Sequence, residues 1–198
     1  MNKILLMAAL ALSLHTFAQE QPVKPKRFAV YFGVSNSFFS ENKPLGTMSF
    51  DSGVKPHFGV LYNIPLNHTI SFRPKLGYAQ FGENISHQYG PYQNSYSNFD
   101  IRLNYINASL DFKFWNRIYL LVGPQVGVLV NNTCNCDFEA SKKAEVGVNL
   151  GVGFTVKDWF FELGGYSGLQ PVIEYGDYWG NNELYNGHFK FTAGYHIF

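Results

Sequence analysis

The stretch Ile118-Tyr119-Leu120-Leu121-Val122-Gly123-Pro124-Gln125-Val126-Gly127-Val128-Leu129-Val130 decides the fold. Ile118, Leu120, Val122, Val126, Val128 and Val130 share one phase, and Tyr119, Leu121, Gly123, Gln125 and Gly127 share the other. A period of two is the signature of a strand with one apolar face. The same alternation recurs at 28–35, 57–64, 70–79, 106–114, 145–154, 159–166 and 188–197, giving eight strands in all. Between them the connections alternate in length. Segments 65–69, 115–117 and 156–158 are tight turns, whereas 36–53, 83–98, 131–143 and 167–186 are long links.

Composition narrows the class. Charged residues make up 15% of the chain and aromatics 18%, with 13 Tyr, 19 Phe and 19 Gly. A soluble domain averages about one quarter charged residues. Yet mean hydropathy is only −0.12, and past residue 18 no long apolar run occurs, which excludes a helical membrane protein. A formal net charge of +1 gives no electrostatic case for nucleic acid. In lipid every backbone N–H and C=O must be paired internally, so only helices and closed barrels span a membrane. Eight alternating strands therefore predict an all-β, up-and-down antiparallel transmembrane β-barrel, the smallest usual size in an outer membrane. Short turns face the periplasm in this class and long loops face outward, so both barrel termini are expected on the periplasmic side. A soluble eight-stranded calyx shares the alternation. The glycines, amides and charges of the second face, and the aromatic strand ends, favour the membrane version.

The first residues complete the picture. Lys3 precedes an apolar run from Ile4 to Leu14, and Thr16-Phe17-Ala18 is a small-x-small exit. This is the three-part pattern of a secretory signal peptide, predicted to be cleaved after Ala18. Residues 19–27 then form a short periplasmic segment and 28–198 the barrel.

Three further stretches carry a resemblance: Gly59-Val60-Leu61-Tyr62-Asn63-Ile64-Pro65-Leu66, Phe72-Arg73-Pro74-Lys75-Leu76-Gly77-Tyr78 and Tyr119-Leu120-Leu121-Val122-Gly123-Pro124-Gln125-Val126-Gly127. In this order the chain resembles the small porin-like outer-membrane β-barrel family of Bacteroidetes, to which the secretion protein PorT also belongs. The resemblance implies location and fold, and no shared reaction. Two positions depart from its pattern. Lys75 stands where family members often carry an acid. His196 stands where many carry an aromatic in phase with the C-terminal one, which predicts a final strand shifted by one residue or bulged near its end.

The inward phase gathers Arg73, Lys75, Lys113 and Lys190 against Asp111, Glu145 and Glu162. An eight-stranded barrel is just wide enough for side chains to fill it. Unpaired charge there is costly, so a closed, salt-bridged interior with pairs across neighbouring strands is expected over a narrow conducting channel. Cys134 and Cys136 fall in the third long link, in an oxidising compartment. A C-x-C spacing strains a local disulfide, and free or intermolecular thiols are the alternative. Only Asp137 and Glu139 follow them, too few ligands for a zinc site, and no cofactor is expected.

Catalytic candidates at the outer rim are Ser86 and His87 in the second link, and Asp177, Glu183 and His188 around the fourth. Adjacent Ser86 and His87 on an extended segment point apart, and none of the five sits in a recognisable motif, so no enzyme is expected. A rim-site enzyme acting on lipid or peptide stays as an alternative. The links instead carry Tyr89, Tyr92, Tyr96, Tyr175, Tyr178 and Trp179 among Gly, Asn and Ser, a mixture suited to binding as in paratopes, and equally to headgroup contact. The expected partners are outer-membrane lipid and lipopolysaccharide and a protein complex of the envelope. The role that fits is a scaffold, accessory subunit or surface-binding protein.

Overall fold

The structure is a computed structural model, and it describes residues 27–41, 48–88, 96–134, 143–177 and 180–198. Eleven strands form in the order β1 Phe28–Glu41, β2 Met48–Ser52, β3 Val54–Tyr62, β4 Ile64–Pro65, β5 Ile70–Phe81, β6 Glu83–Gln88, β7 Tyr96–Phe114, β8 Ile118–Cys134, β9 Ala144–Val156, β10 Trp159–Asp177 and β11 Gly180–His196. They make eight staves. β2, β3 and β4 follow one another along the second stave, and β5 and β6 along the third. The break between β5 and β6 falls at Gly82, whose φ of 146° favours glycine. Pairing with β7 continues across it in unchanged register, from Phe81↔Leu103 to Asn84↔Asp100.

All pairings are antiparallel, and β11 pairs with β1, so the sheet closes on itself. The ring is staggered. Register runs from Ala29 through Leu61, Lys75, Ser109, Gln125, Gly147 and Gly168 to Asn186, which faces Phe39 rather than Ala29. A stagger of about ten residues over eight staves belongs with the steep strand tilt of about 35–45° in such barrels.

One end is tied tightly. Asn67 Oδ1 accepts from the Thr69 and Ile70 amides at 2.8 and 2.7 Å, an Asx turn. Trp115 and Lys157 take positive φ, 72° and 56°, in the other two turns. The Phe198 carbonyl accepts from the Arg27 and Phe28 amides at 2.7 and 2.8 Å. At the other end the staves run on. β7 and β10 have 19 residues each and β8 and β11 have 17, whereas about 9–11 cross a bilayer.

This corrects two expectations. Part of each long link is strand: 36–41 and 48–52, 83–88 and 96–98, 131–134, and 167–177 and 180–186 continue the ladders past the apolar band. The last strand carries no bulge against β1 over its paired residues: pairing is continuous from Ala29↔His196 to Glu41↔Leu184. The irregularity lies between β10 and β11 on either side of Pro171, whose missing N–H cannot serve the ladder.

Closure decides which face is inside. Phe32, Leu76, Val128, Leu150 and Leu163 are exposed around the wall, Leu150 by 65%. Arg73, Asp111, Glu145 and Glu162 are buried within. Apolar outside and polar inside is the arrangement a lipid solvent demands and the reverse of a soluble calyx.

Candidate functional site

The interior is packed in layers from the short-turn end upward. Its floor is Ala29, Leu61 and Phe160, with Tyr31 against them. Asn63 Nδ2 and His196 Nε2 lie 3.1 Å apart, and the His196 ring meets Phe160 edge-on at 5.0 Å.

Above the floor sits the ionic layer. Arg73 Nη1 donates to Glu162 Oε1 at 2.5 Å, and Lys75 Nζ reaches Glu162 Oε2 at 3.3 Å and Asp111 Oδ2 at 2.9 Å. The Tyr119 hydroxyl donates to Glu162 Oε1 at 2.9 Å. Arg73 is on the third stave and Glu162 on the seventh, so this pair spans the lumen between opposite walls. The Arg73 guanidinium also lies over the Phe160 ring at 4.9 Å, a cation–π contact in a water-poor place. Lys113 Nζ lies 4.2 Å above the Tyr119 ring.

Next come Lys190 Nζ, donating to Asn149 Oδ1 at 2.9 Å, and His57, whose Nε2 is 2.9 Å from Thr192 Oγ1. At the outer end the His188 ring is stacked between Phe81 at 4.5 Å and Tyr166 at 4.8 Å. Asn186 Nδ2 donates to Glu145 Oε2 at 3.2 Å. Ile101, Leu103, Val172 and Leu184, all buried, complete an apolar layer there.

Glycine makes room for the interior rings. Tyr119 stands opposite Gly153, and a Cβ there would lie 2.5 Å from the ring. Phe160 faces Gly194 and Tyr31 faces Gly59 in the same way. The joint surplus of Gly and aromatics therefore has a packing cause: large rings fill a narrow lumen only if the neighbouring stave offers no side chain.

All seven inward charges lie inside the barrel, but they do not form one network. Arg73, Lys75, Asp111 and Glu162 meet, and Lys190 joins them through Asn149, whose Nδ2 donates to Asp111 Oδ1 at 3.4 Å; Lys113 rests on an aromatic face, and Glu145 binds the Asn186 amide. The link between Arg73 and Glu162 runs across the lumen rather than between neighbouring strands, because the stagger brings opposite walls to one height. Sequence reasoning missed Asn149, Asn186, His57 and Thr192 as partners. Their inward phase was readable, and their heights in the barrel were not.

Of the rim candidates, His188, the first residue of the last expected strand, lies not at the rim but 3% exposed in the interior, held by its two ring contacts. Ser86 and His87 lie in β6, between β2 and β7. Asp177 ends β10, and Glu183 lies in β11, where its Oε2 accepts from the Tyr185 hydroxyl at 2.8 Å. Tyr96 and Tyr175 are on β7 and β10, and Cys134 ends β8. Tyr89, Tyr92, Cys136, Tyr178 and Trp179 lie outside the described residues, as does the signal-like segment.

The family model for the outer membrane protein β-barrel domain matches residues 17–174. The chain belongs to that family. Membership locates this outer membrane β-barrel protein in the bacterial outer membrane. Among solved structures it is similar to Neisserial surface protein A, with TM-score 0.55 and 14% identity over 86% of this chain and 97% of that one. It is also similar to OprG of Pseudomonas aeruginosa, with TM-score 0.51 and 9% identity over 85% and 94%. At such identities the likeness is one of fold. No curated protein matches the sequence.

Proposed function

We propose that this barrel is a non-enzymatic scaffold or accessory subunit of the outer membrane, with a closed interior and outer hairpins that present a binding surface to an envelope partner. The observation that carries the reading is the filled lumen. The Arg73–Glu162 pair crosses it near the short turns, and Ile101, Leu103, Val172, Leu184 and the Phe81–His188–Tyr166 stack fill it near the other end. Work for such a protein falls to its outer face and its long hairpins. Both ends of the barrel chain lie with the short turns, Arg27 and Phe28 bound to Phe198, which supports a periplasmic position for the termini. Lipid and lipopolysaccharide contact the apolar band, and the porin-like and PorT-like resemblance fits an accessory role.

Two experiments test this. The intact protein in planar bilayers is expected to be nearly silent, and persistent conductance steps would replace the scaffold with a channel. Extraction of native membranes in mild detergent is expected to bring down a stoichiometric envelope partner. Isolation as a lone species would count against an accessory role.

A further inference from the structure

Between the ionic layer and the outer aromatic stack lies a cavity of about 50 Å³. Its walls include Lys75, Lys190, His57, His188, Gln125 and Thr192, and no carboxylate among the described residues lines it. Three observations make its chemistry one-sided.

The first is the state of the two ammonium groups. Lys75 is already answered by Asp111 and Glu162. Lys190 has Asn149 Oδ1 at 2.9 Å, and no carboxylate of the described residues within 4.0 Å of it. An ammonium carries three donors, and the amide oxygen takes one.

The second concerns the imidazoles. His57 and His188 are 7% and 3% exposed, and Nδ1 of each lacks a partner within the protein. The Thr192 hydroxyl occupies His57 Nε2, which leaves Nδ1 as the ring atom open to a further partner.

The third is the sum of charge. Among the residues whose side chains are described, Arg73, Lys75, Lys113 and Lys190 stand against Asp111, Glu145 and Glu162 inside the wall, and half-buried Lys55 shares the inward phase. Water can satisfy the rings, but it cannot neutralise Lys190. Among the described residues Lys190 reaches a carboxylate at second hand, through Asn149, whose Nδ2 donates to Asp111 Oδ1 at 3.4 Å. A cation with no direct counter-charge inside a membrane-embedded wall is unfavourable, and an anion beside it relieves this.

We propose that this cavity binds one small monovalent inorganic anion of halide size, held by Lys190 with donors from the surrounding imidazole and amide groups. The volume suits a halide, which is close in size to a water molecule and its share of about 30 Å³. It excludes a sugar acid or a lipid headgroup. The site depends on the cavity and its cations alone, so it stands apart from the scaffold reading, which conductance tests separately.

Supplying the anion while the barrel forms lets it reach the cavity whether or not the finished interior is closed. The protein is therefore folded from urea into lipid in sodium chloride, sodium bromide or sodium gluconate at equal ionic strength, and Tm is read in the same salt. Chloride and bromide are expected to raise Tm by several degrees in a saturable way, and gluconate, too large for the cavity, is not. Lys190→Met is expected to abolish the halide response, while Lys157→Met, in an exposed turn, retains it. Equal Tm in chloride and gluconate, or a halide response that survives Lys190→Met, would overturn the proposal. Should Lys190→Met fail to fold, crystals of the unmodified protein grown in bromide decide the matter. A bromide anomalous peak beside Lys190 supports the site, and a cavity holding only water refutes it.

Discussion

Glu162 is the side chain whose loss the interior tolerates least. It is 6% exposed and accepts from Arg73 at 2.5 Å, Tyr119 at 2.9 Å and Lys75 at 3.3 Å. In Glu162→Ala, Lys75 keeps Asp111. Arg73 keeps its ring contacts and its neighbour Tyr119 but no carboxylate within ion-pair distance among the described residues, with its side chain 1% exposed and Nε already without a partner. Removing one member of a buried pair costs about 3–5 kcal/mol, because the other charge is left uncompensated. The Tyr119 hydroxyl loses its acceptor, which adds about 1 kcal/mol. The expected loss is thus about 4 kcal/mol or more, read from urea unfolding in lipid vesicles by the fluorescence of Trp115 and Trp159. Glu183→Ala removes only the contact with the half-buried Tyr185 hydroxyl and is expected to cost about 1 kcal/mol or less. The Arg73→Met, Glu162→Leu double variant is expected to recover much of the loss, since it leaves no lone charge. If Glu162→Ala and Glu183→Ala cost the same, or if the double variant is worse than Glu162→Ala, the cross-lumen pair does not organise the interior.

Three further outcomes follow from the same geometry. Leu150, mid-strand and 65% exposed to lipid, is expected to cost about 2–4 kcal/mol as Leu150→Arg in bilayers; a neutral result would mean this wall does not face the hydrocarbon. Gly153→Ala sets a Cβ 2.5 Å from the Tyr119 ring and is expected to cost about 1–3 kcal/mol while loosening the Tyr119–Glu162 bond; unchanged stability would show the ring has room to move. Tags at Asn94 and Asn116 test orientation on intact cells: label at Asn94 alone is expected, and label at Asn116 alone would invert the barrel.

The sequence by itself determined the alternation, and with it the identity of the two faces. Leu120 and Val122 share one phase, and Tyr119 and Leu121 the other, because a strand sends successive side chains to opposite sides whatever surrounds it. It also determined the three tight turns and the eight-stave count, since these too are local. Alternation alone could not say which face looks inward, because it reads the same in a soluble calyx; the charges, amides and glycines of the second phase pointed inward, and closing β11 onto β1 puts that phase inside. Nor could it match partners across the lumen. Neighbouring strands suggested pairs such as Arg73 with Asp111, which do share a register position. The ionic bond of Arg73 nevertheless goes to Glu162, because stagger and tilt lift residues of opposite walls to one height. The same cause set His188, a rim candidate in the sequence, into a ring stack inside the barrel. Height in a staggered ring depends on all eight registers together, and no single segment of the chain contains it.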